Sequence, residues 1–299
     1  MWRRLVALGA GIGIISSTVS FSQVKKQFSV ENVSYIERVD LDFQVNSGSC
    51  FVKAGEGGEL LNVYGNREYD SYGHSFEKEI HNRVCHIRLA LDDNRSESLS
   101  QSISYRMFGR STEEKDNLWK VYLAKEKIYD LDLDYGIGQA DIDLSGLSLQ
   151  KLKIHTGSAD VNVGYFEDAH NSLEMDTFYV KVDLGSVSVH NLNQSRAKHV
   201  VADIGFGNLM LDFSNKSRVT STIRGSVGAG NLVIVLPQQG TPVKVSINDS
   251  WLCRVKLSDS FTKLSDGTYV NEDYEAGVDN LLNFDLDVSM GSIVFKEKN

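Results

Sequence analysis

The sequence of 299 residues holds only two prolines, three cysteines and three tryptophans. So few prolines exclude collagen-like and proline-rich fibres and leave most turns to Gly, Asn, Asp and Ser. Net positive charge is missing as well: 31 Lys and Arg stand against 40 Asp and Glu, a formal charge of −9. Such a chain repels phosphate, which argues against nucleic acid as a partner. No Ser sits in a nucleophile elbow and no His-Glu-x-x-His occurs. What is present, 41% apolar and 9% aromatic residues, is too much for a disordered chain. It is enough to bury a core in one or two domains.

Residues 1–22 read as a secretory signal. Arg3 and Arg4 form the positive start, Leu5 to Val19 the apolar stretch, and Ser20 and Ser22 the small residues before a cleavage at Gln23. The alternative, a retained anchor, needs ~20 apolar residues, more than this stretch supplies. Gly9, Gly11 and Gly13 follow no strand, so they are not a dinucleotide loop. No Cys lies near the cleavage site, so a lipoprotein anchor is not supported. The expectation is export, to the periplasm or to the cell surface and beyond, with no membrane span after cleavage. In that oxidising space Cys50 and Cys85 are the pair to test for a disulfide, although three buried, unpaired cysteines is the simpler reading.

The strongest signal is internal repetition. Leu131-Asp-Leu-Asp-Tyr135 alternates apolar and polar residues, Gly138-Gln139 interrupts, and Ala140-Asp-Ile-Asp-Leu144 resumes the alternation. The pattern recurs around Gly157, Gly185, Gly207, Gly230 and Gly291, and faintly around Gly48. Period-two alternation gives a strand with one buried and one wet face. A Gly-polar pair supplies a tight bend, since Gly takes φ > 0 freely. On that reasoning Gly207→Val destabilises, because a β-branched residue resists φ > 0. The steps from Gly138 through Gly157, Gly185 and Gly207 to Gly230 are 19, 28, 22 and 23 residues. Repeats of this length predict stacked rungs, an all-β solenoid, with an ordinary β-sandwich as the alternative. Ser148–Lys153 and Glu167–Leu173 are the only candidate helical turns. Pro237 and Pro242 bracket a turn, Val243–Ile247 is a strand, and residues 266–280 are loop.

Few residues point to chemistry. Asp130, Asp132, Asp134, Asp141 and Asp143 alternate along two strands as one outward face, a weak candidate for Ca²⁺. A solvated surface is the plainer account, so no metal and no cofactor are expected. His81, Cys85 and His86 lie close in sequence, but alternation sends Cys85 inward and His86 out. Tyr64, Tyr69, Tyr72, Tyr105, Phe108, Trp119 and Tyr122 crowd the N-terminal part, where they cap the open end of a stack or offer stacking faces to sugars.

The run Trp119 to Tyr165 resembles the bacterial toast-rack domain of unknown function, whose group includes domains named "putative adhesin". Leu131 to Leu147 and His155-Thr-Gly-Ser-Ala-Asp-Val161 carry the likeness. Residues 266–293 are similar to the family's closing segment, and the C-terminal domain of the cell-wall-stress protein LiaF belongs to the same group. The resemblance covers about 119–297 and, faintly, 35–65. It implies a single-stranded right-handed β-helix-like stack in exported or envelope-attached proteins, and it carries no catalytic residues to transfer. The expected organisation is a signal at 1–22, an N-terminal β region at 23–118 capping the stack, and a toast-rack solenoid at 119–299, continuous or not with the cap. The expected role is a non-enzymatic structural or binding scaffold, adhesin-like. Its expected partner is a protein or glycan of the bacterial envelope, with self-association through stacking. The alternatives are a periplasmic sensor module for a membrane partner, whose mark is an exposed apolar patch, and a polysaccharide hydrolase, whose mark is two facing carboxylates in a groove.

Overall fold

The computed structural model describes residues 24–92, 117–166 and 169–298. The leader expected at 1–22, with Tyr105 and Phe108, lies outside the described residues. The strands begin with β1 (Lys25–Val30), β2 (Arg38–Ala54), β3 (Leu61–Gly65), β4 (Gly73–His81), β5 (Val84–Asp92), β6 (Leu118–Leu123) and β7 (Ile128–Asp143). They continue with β8 (Ser148–Thr156), β9 (Asp160–Gly164), β10 (Thr177–Val182), β11 (Ser186–His190), β12 (His199–Ile204), β13 (Asn208–Asp212) and β14 (Ser221–Val227). The last seven are β15 (Asn231–Leu236), β16 (Val243–Asp249), β17 (Arg254–Lys256), β18 (Thr262–Ser265), β19 (Thr268–Val270), β20 (Leu282–Val288) and β21 (Ser292–Glu297). Among the described residues there is no α-helix, only 3-10 turns at Tyr69–Ser71 and Leu192–Ser195.

Each rung is a strand, a corner and a second strand, so the stack has two sheets that meet at a line of corners. The first sheet runs β4-β5-β2-β7-β8-β10-β12-β14-β20-β16-β19-β18. The second runs β1-β3-β6-β2-β7-β9-β11-β13-β15-β21-β17. Strands β2 and β7 bend through their corners and belong to both sheets. Parallel register stacks like positions, as in the inward column Leu133, Ile154, Val180, Ala202, Gly225 and Leu286. Connecting loops close the third side, pinned by buried amides. Asn171 accepts from Leu149 N at 2.9 Å and donates to Leu149 O at 2.7 Å, and Asn193 donates to Phe213 O at 2.7 Å.

The rungs do not stack in chain order at either end. The rung formed by β2 is chemically first, yet it sits between β5/β6 and β7. The final rung, β20/β21, likewise slides between β14/β15 and β16/β17. The parallel stack therefore runs without a break across residue 118. Both ends are then closed by antiparallel strands: β4 on the first sheet, β3 and β1 on the second, and β19 and β18 at the far end. Tyr72 and Trp119 are buried at the N-terminal end, their ring centroids 4.8 Å apart, with Tyr69 packed at a tilt against His74 at the rim.

Two expectations need correction. Ser148–Lys153 is not helical but the start of β8. Leu149 and Leu152 both point inward because Gln150 is an extra residue opposite the Tyr129–Asp130 step, a bulge that imitates helical spacing. The cysteines Cys50, Cys85 and Cys253 are all free. Cys85 lies opposite Val39 in the first sheet and Cys50 opposite Trp119 in the second. Second, among the corner glycines named from sequence, only Gly48 (φ +113°) and Gly138 (φ +120°) are left-handed.

The other corners need glycine for a different reason, the close approach of successive backbones. A Cβ on Gly207 would lie 2.5 Å from Gly185 O and closer still to Val182 Cγ1. Gly185, Gly230 and Gly291 are equally tight against the corner of the neighbouring rung, while Gly157 has slightly more room, 3.1 Å from Gly136 O. Gly207→Ala should therefore destabilise by about 2 kcal/mol, roughly 5 °C in Tm by thermal unfolding. Gly58→Ala, where a Cβ meets nothing within 4 Å, should leave Tm unchanged. A chain ending at residue 281 loses the strands paired on both sides with their neighbours, and should show no cooperative melting by circular dichroism.

Candidate functional site

Alternation puts every second residue of the first sheet outside, and the parallel register arranges these residues in straight rows across the rungs. One row reads Glu77, Arg88, Asp42, Asp132, Lys153 and Tyr179. The adjacent row reads Glu79, His86, Asp40, Asp130 and Lys151. Because β2 is wedged next to β7, two pairs of carboxylates lie side by side, with cations on both flanks. The rows line a shallow groove of about 430 Å³ whose floor is Leu41, Ile87 and Leu131.

Most of its carboxylates are engaged. Arg88 reaches Glu77 at 2.9 Å and Asp42 at 3.6 Å, Lys153 reaches Asp132 at 2.7 Å, and Asp40 meets Arg38 and His86, each at 3.1 Å. The hydrogen bond to Asp132 holds the Lys153 ammonium above its ordinary range. Among the described residues Glu79 and Asp130 make no ion pair, and Asp130 Oδ1 is buried with no hydrogen-bond partner. Burial pushes that carboxyl up, neighbouring Asp40 and Asp176 push the same way, and Arg38 and Lys151 oppose them. All these ion pairs are partly exposed, so each contributes at most about 1 kcal/mol.

Nearer the corner, His155 bridges three rungs. Its Nδ1 lies 3.1 Å from Asp134 Oδ2 and its Nε2 3.0 Å from Asp183 Oδ2. Burial disfavours the imidazolium, but the bonds to Asp183 and Asp134 and their charges outweigh it and raise the pKa. Lys181 also approaches Asp183, at 3.6 Å.

The five aspartates named from sequence do not share one face. Asp130, Asp132 and Asp134 are on the outside of the first sheet. Asp141 and Asp143 follow the corner at Gly136–Gly138 and lie on the second, where Asp141 accepts from Asn162 at 3.2 Å and Asp143 from Ser145 N at 2.9 Å. Among the described residues no three His, Cys, Asp or Glu side chains are grouped to hold a metal ion. Cys85 faces inward and His86 outward. Tyr64 and Tyr122 meet edge to face at 5.7 Å, with Lys53 over the Tyr122 ring. The groove itself was not foreseen. Arg88, Lys151, Lys153 and His155 are visible as outward positions of alternating runs, but their neighbours depend on the rung order.

Residues 19–185 match the family described as the N-terminal domain of toast_rack, DUF2154. The match begins well before the segment 119–297 that carries the sequence resemblance, and stops short of its closing part. Three crystal structures are similar over most of their length. A "putative cell adhesion protein" from Clostridium sporogenes is 17% identical, with 92% of this chain and 100% of that chain covered and a TM-score of 0.42. A "putative adhesin" from Bacteroides fragilis is 11% identical, covering 91% and 97%, with a TM-score of 0.38. A "putative lipid binding protein" from Parabacteroides distasonis is 9% identical, covering 91% and 96%, with a TM-score of 0.39. No curated protein matches.

The His155 bridge yields a pH signature. A folded pKa above the unfolded value near 6.5 gives stability that is complete below 6.5 and lost as pH rises through the folded pKa. Tm should exceed that of His155→Gln by about 1–3 °C at pH 5.5, with the gap closing by pH 8.5 in thermal melts.

Proposed function

This chain belongs to the toast_rack N-terminal domain family, and from that premise we propose that it is an exported, non-enzymatic scaffold that binds polar, charged material of the bacterial envelope on the outside of its first sheet. The observation that carries the reading is the groove: fixed rows of both charge signs, held open to solvent by a rigid parallel ladder. Such rows suit a repeating polymer, because the rungs repeat every ~4.8 Å along the stack. Among the described residues Lys151, Asp130 and Glu79 of the groove make no close ion pair, and Lys151 and Asp130, side by side in register, are the groups proposed to meet a ligand.

A hydrolase requires two carboxylates facing each other across a bound sugar. The carboxylates here lie side by side on one sheet, and three of the four central ones are held by cations. That arrangement favours binding over bond cleavage.

The test uses isolated cell-wall polysaccharide in a pull-down with the purified protein. Saturable binding should weaken as salt rises, and Lys151→Glu combined with Lys153→Glu should reduce it at least tenfold while the fold is retained by circular dichroism. Undiminished binding by that variant would overturn the reading. In-cell crosslinking with mass spectrometry addresses the sensor alternative, which requires one membrane protein recovered in near-equal yield.

A further inference from the structure

A second surface lies on the line of corners and is independent of the groove. Corner residues stack because each backbone N–H donates to the rung below: Leu184 to Gly157 O at 2.8 Å, Phe206 to Asp183 O at 2.8 Å, Ala229 to Gly205 O at 2.8 Å, and Met290 to Gly228 O at 2.8 Å. The last corner, Ser250–Cys253, follows Met290 and is tied to it by Ser250 Oγ donating to Ser289 O and by Arg254 N donating to Gly291 O. The C-terminal half of this line therefore presents, with the small Ala229 between Phe206 and Met290, the large side chains of Leu184, Phe206, Met290, Trp251 and Leu252 along the stack. Their exposures are 44%, 71%, 59%, 91% and 51%. In the N-terminal half the equivalent positions are Ser158, Ile137 and Ser47: the row ends at Ser158, and the half-buried Ile137 stands alone between two serines.

With large side chains contributing ~200 Å² each, the row exposes on the order of 600 Å² of mainly apolar surface. That is the upper limit for the largest patch of an ordinary monomer. We propose that this row is the contact surface of a homodimer, in which two copies pack corner to corner about a two-fold axis parallel to the stack.

Three features select a second copy. A parallel two-fold sets each corner opposite its own counterpart, Phe206 on Phe206 and Trp251 on Trp251, so the rung spacing matches at every level without adjustment. An unrelated partner has no such built-in register. The buried area, on the order of 1,200 Å² for both copies, reaches the lower range of specific interfaces. The charges also agree. Exposed Asp249 and Asp287 flank the row on the first-sheet side, and exposed Arg254 and Lys256 flank it on the second-sheet side. The parallel two-fold brings the acids of one copy to the bases of the other. An antiparallel arrangement would set acids against acids, and an anionic bilayer would meet Asp249 and Asp287. The ends of the stack are less suited to self-association, because their edge strands carry charge: Glu77, Lys78 and Glu79 on β4, and Lys25 and Lys26 on β1.

Sedimentation velocity from 1 to 100 µM is the first test. The expected result is a weight-average mass rising from that of one chain towards twice that value. Phe206→Ser with Trp251→Ser should weaken association at least tenfold without lowering Tm. Register is tested in a Cys253→Ser background, where Phe206→Cys and Trp251→Cys should each form a homodimeric disulfide; an antiparallel pair places both positions against their own copies in no arrangement. A monomer at all concentrations, association untouched by the double variant, or crosslinking at only one of the two positions would overturn the proposal. So would a monomer that floats with phosphatidylcholine vesicles through Trp251, which would assign the row to a lipid surface.

Discussion

The backbone contact between successive corners is the constraint on which the rest depends. Two sheets that share each rung keep register only if their corners rise by the same ~4.8 Å as their strands. At Gly185, Gly207, Gly230 and Gly291 the corners approach so closely that a Cβ would strike the carbonyl of the neighbouring glycine or alanine. Removing that atom lets both ladders hydrogen-bond along their full length. The last corner, Ser250–Cys253, shows the other solution: without a glycine it needs more residues to make the bend.

Fixed corners produce fixed rows, and the rows give the surface its two characters. On the first sheet the outward positions are charged, and the wedging of β2 beside β7 creates a band of paired carboxylates between two lines of cations. Along the corners themselves the outward positions turn apolar after Leu184. The two surfaces face different directions and carry different chemistry. A scaffold that associates along its corners would display two charged grooves, doubling the contacts available to a repeating polymer.

Much of this was legible in the sequence. Alternation across Leu131–Leu144 and its repeats identified the strands, their inward faces and the stacked architecture, and the resemblance to the toast-rack domain agreed with the family match. Three things were not legible. Helix-like spacing of Leu149 and Leu152 hid a bulge at Gln150, because apolar period alone does not report an extra residue. The role of Gly207 was assigned to φ, whereas only contact with Val182 and Gly185, residues of another rung, explains it. The order of rungs was out of reach, since no local pattern says that Leu282–Val288 pairs between β14 and β16. The groove depends on that kind of non-local pairing, so its residues could be seen individually but not as neighbours.

The central claim is that the chain's last rung is an interior one. Hydrogen–deuterium exchange resolved to peptides tests it most directly. A C-terminal segment laid on the end of a stack frays, and its amides exchange quickly. Insertion between β14 and β16 predicts that the amides of Leu282–Val288 exchange as slowly as those of His199–Ile204 in the middle of the stack. Fast exchange over 282–288, with the central strands protected, would contradict the account.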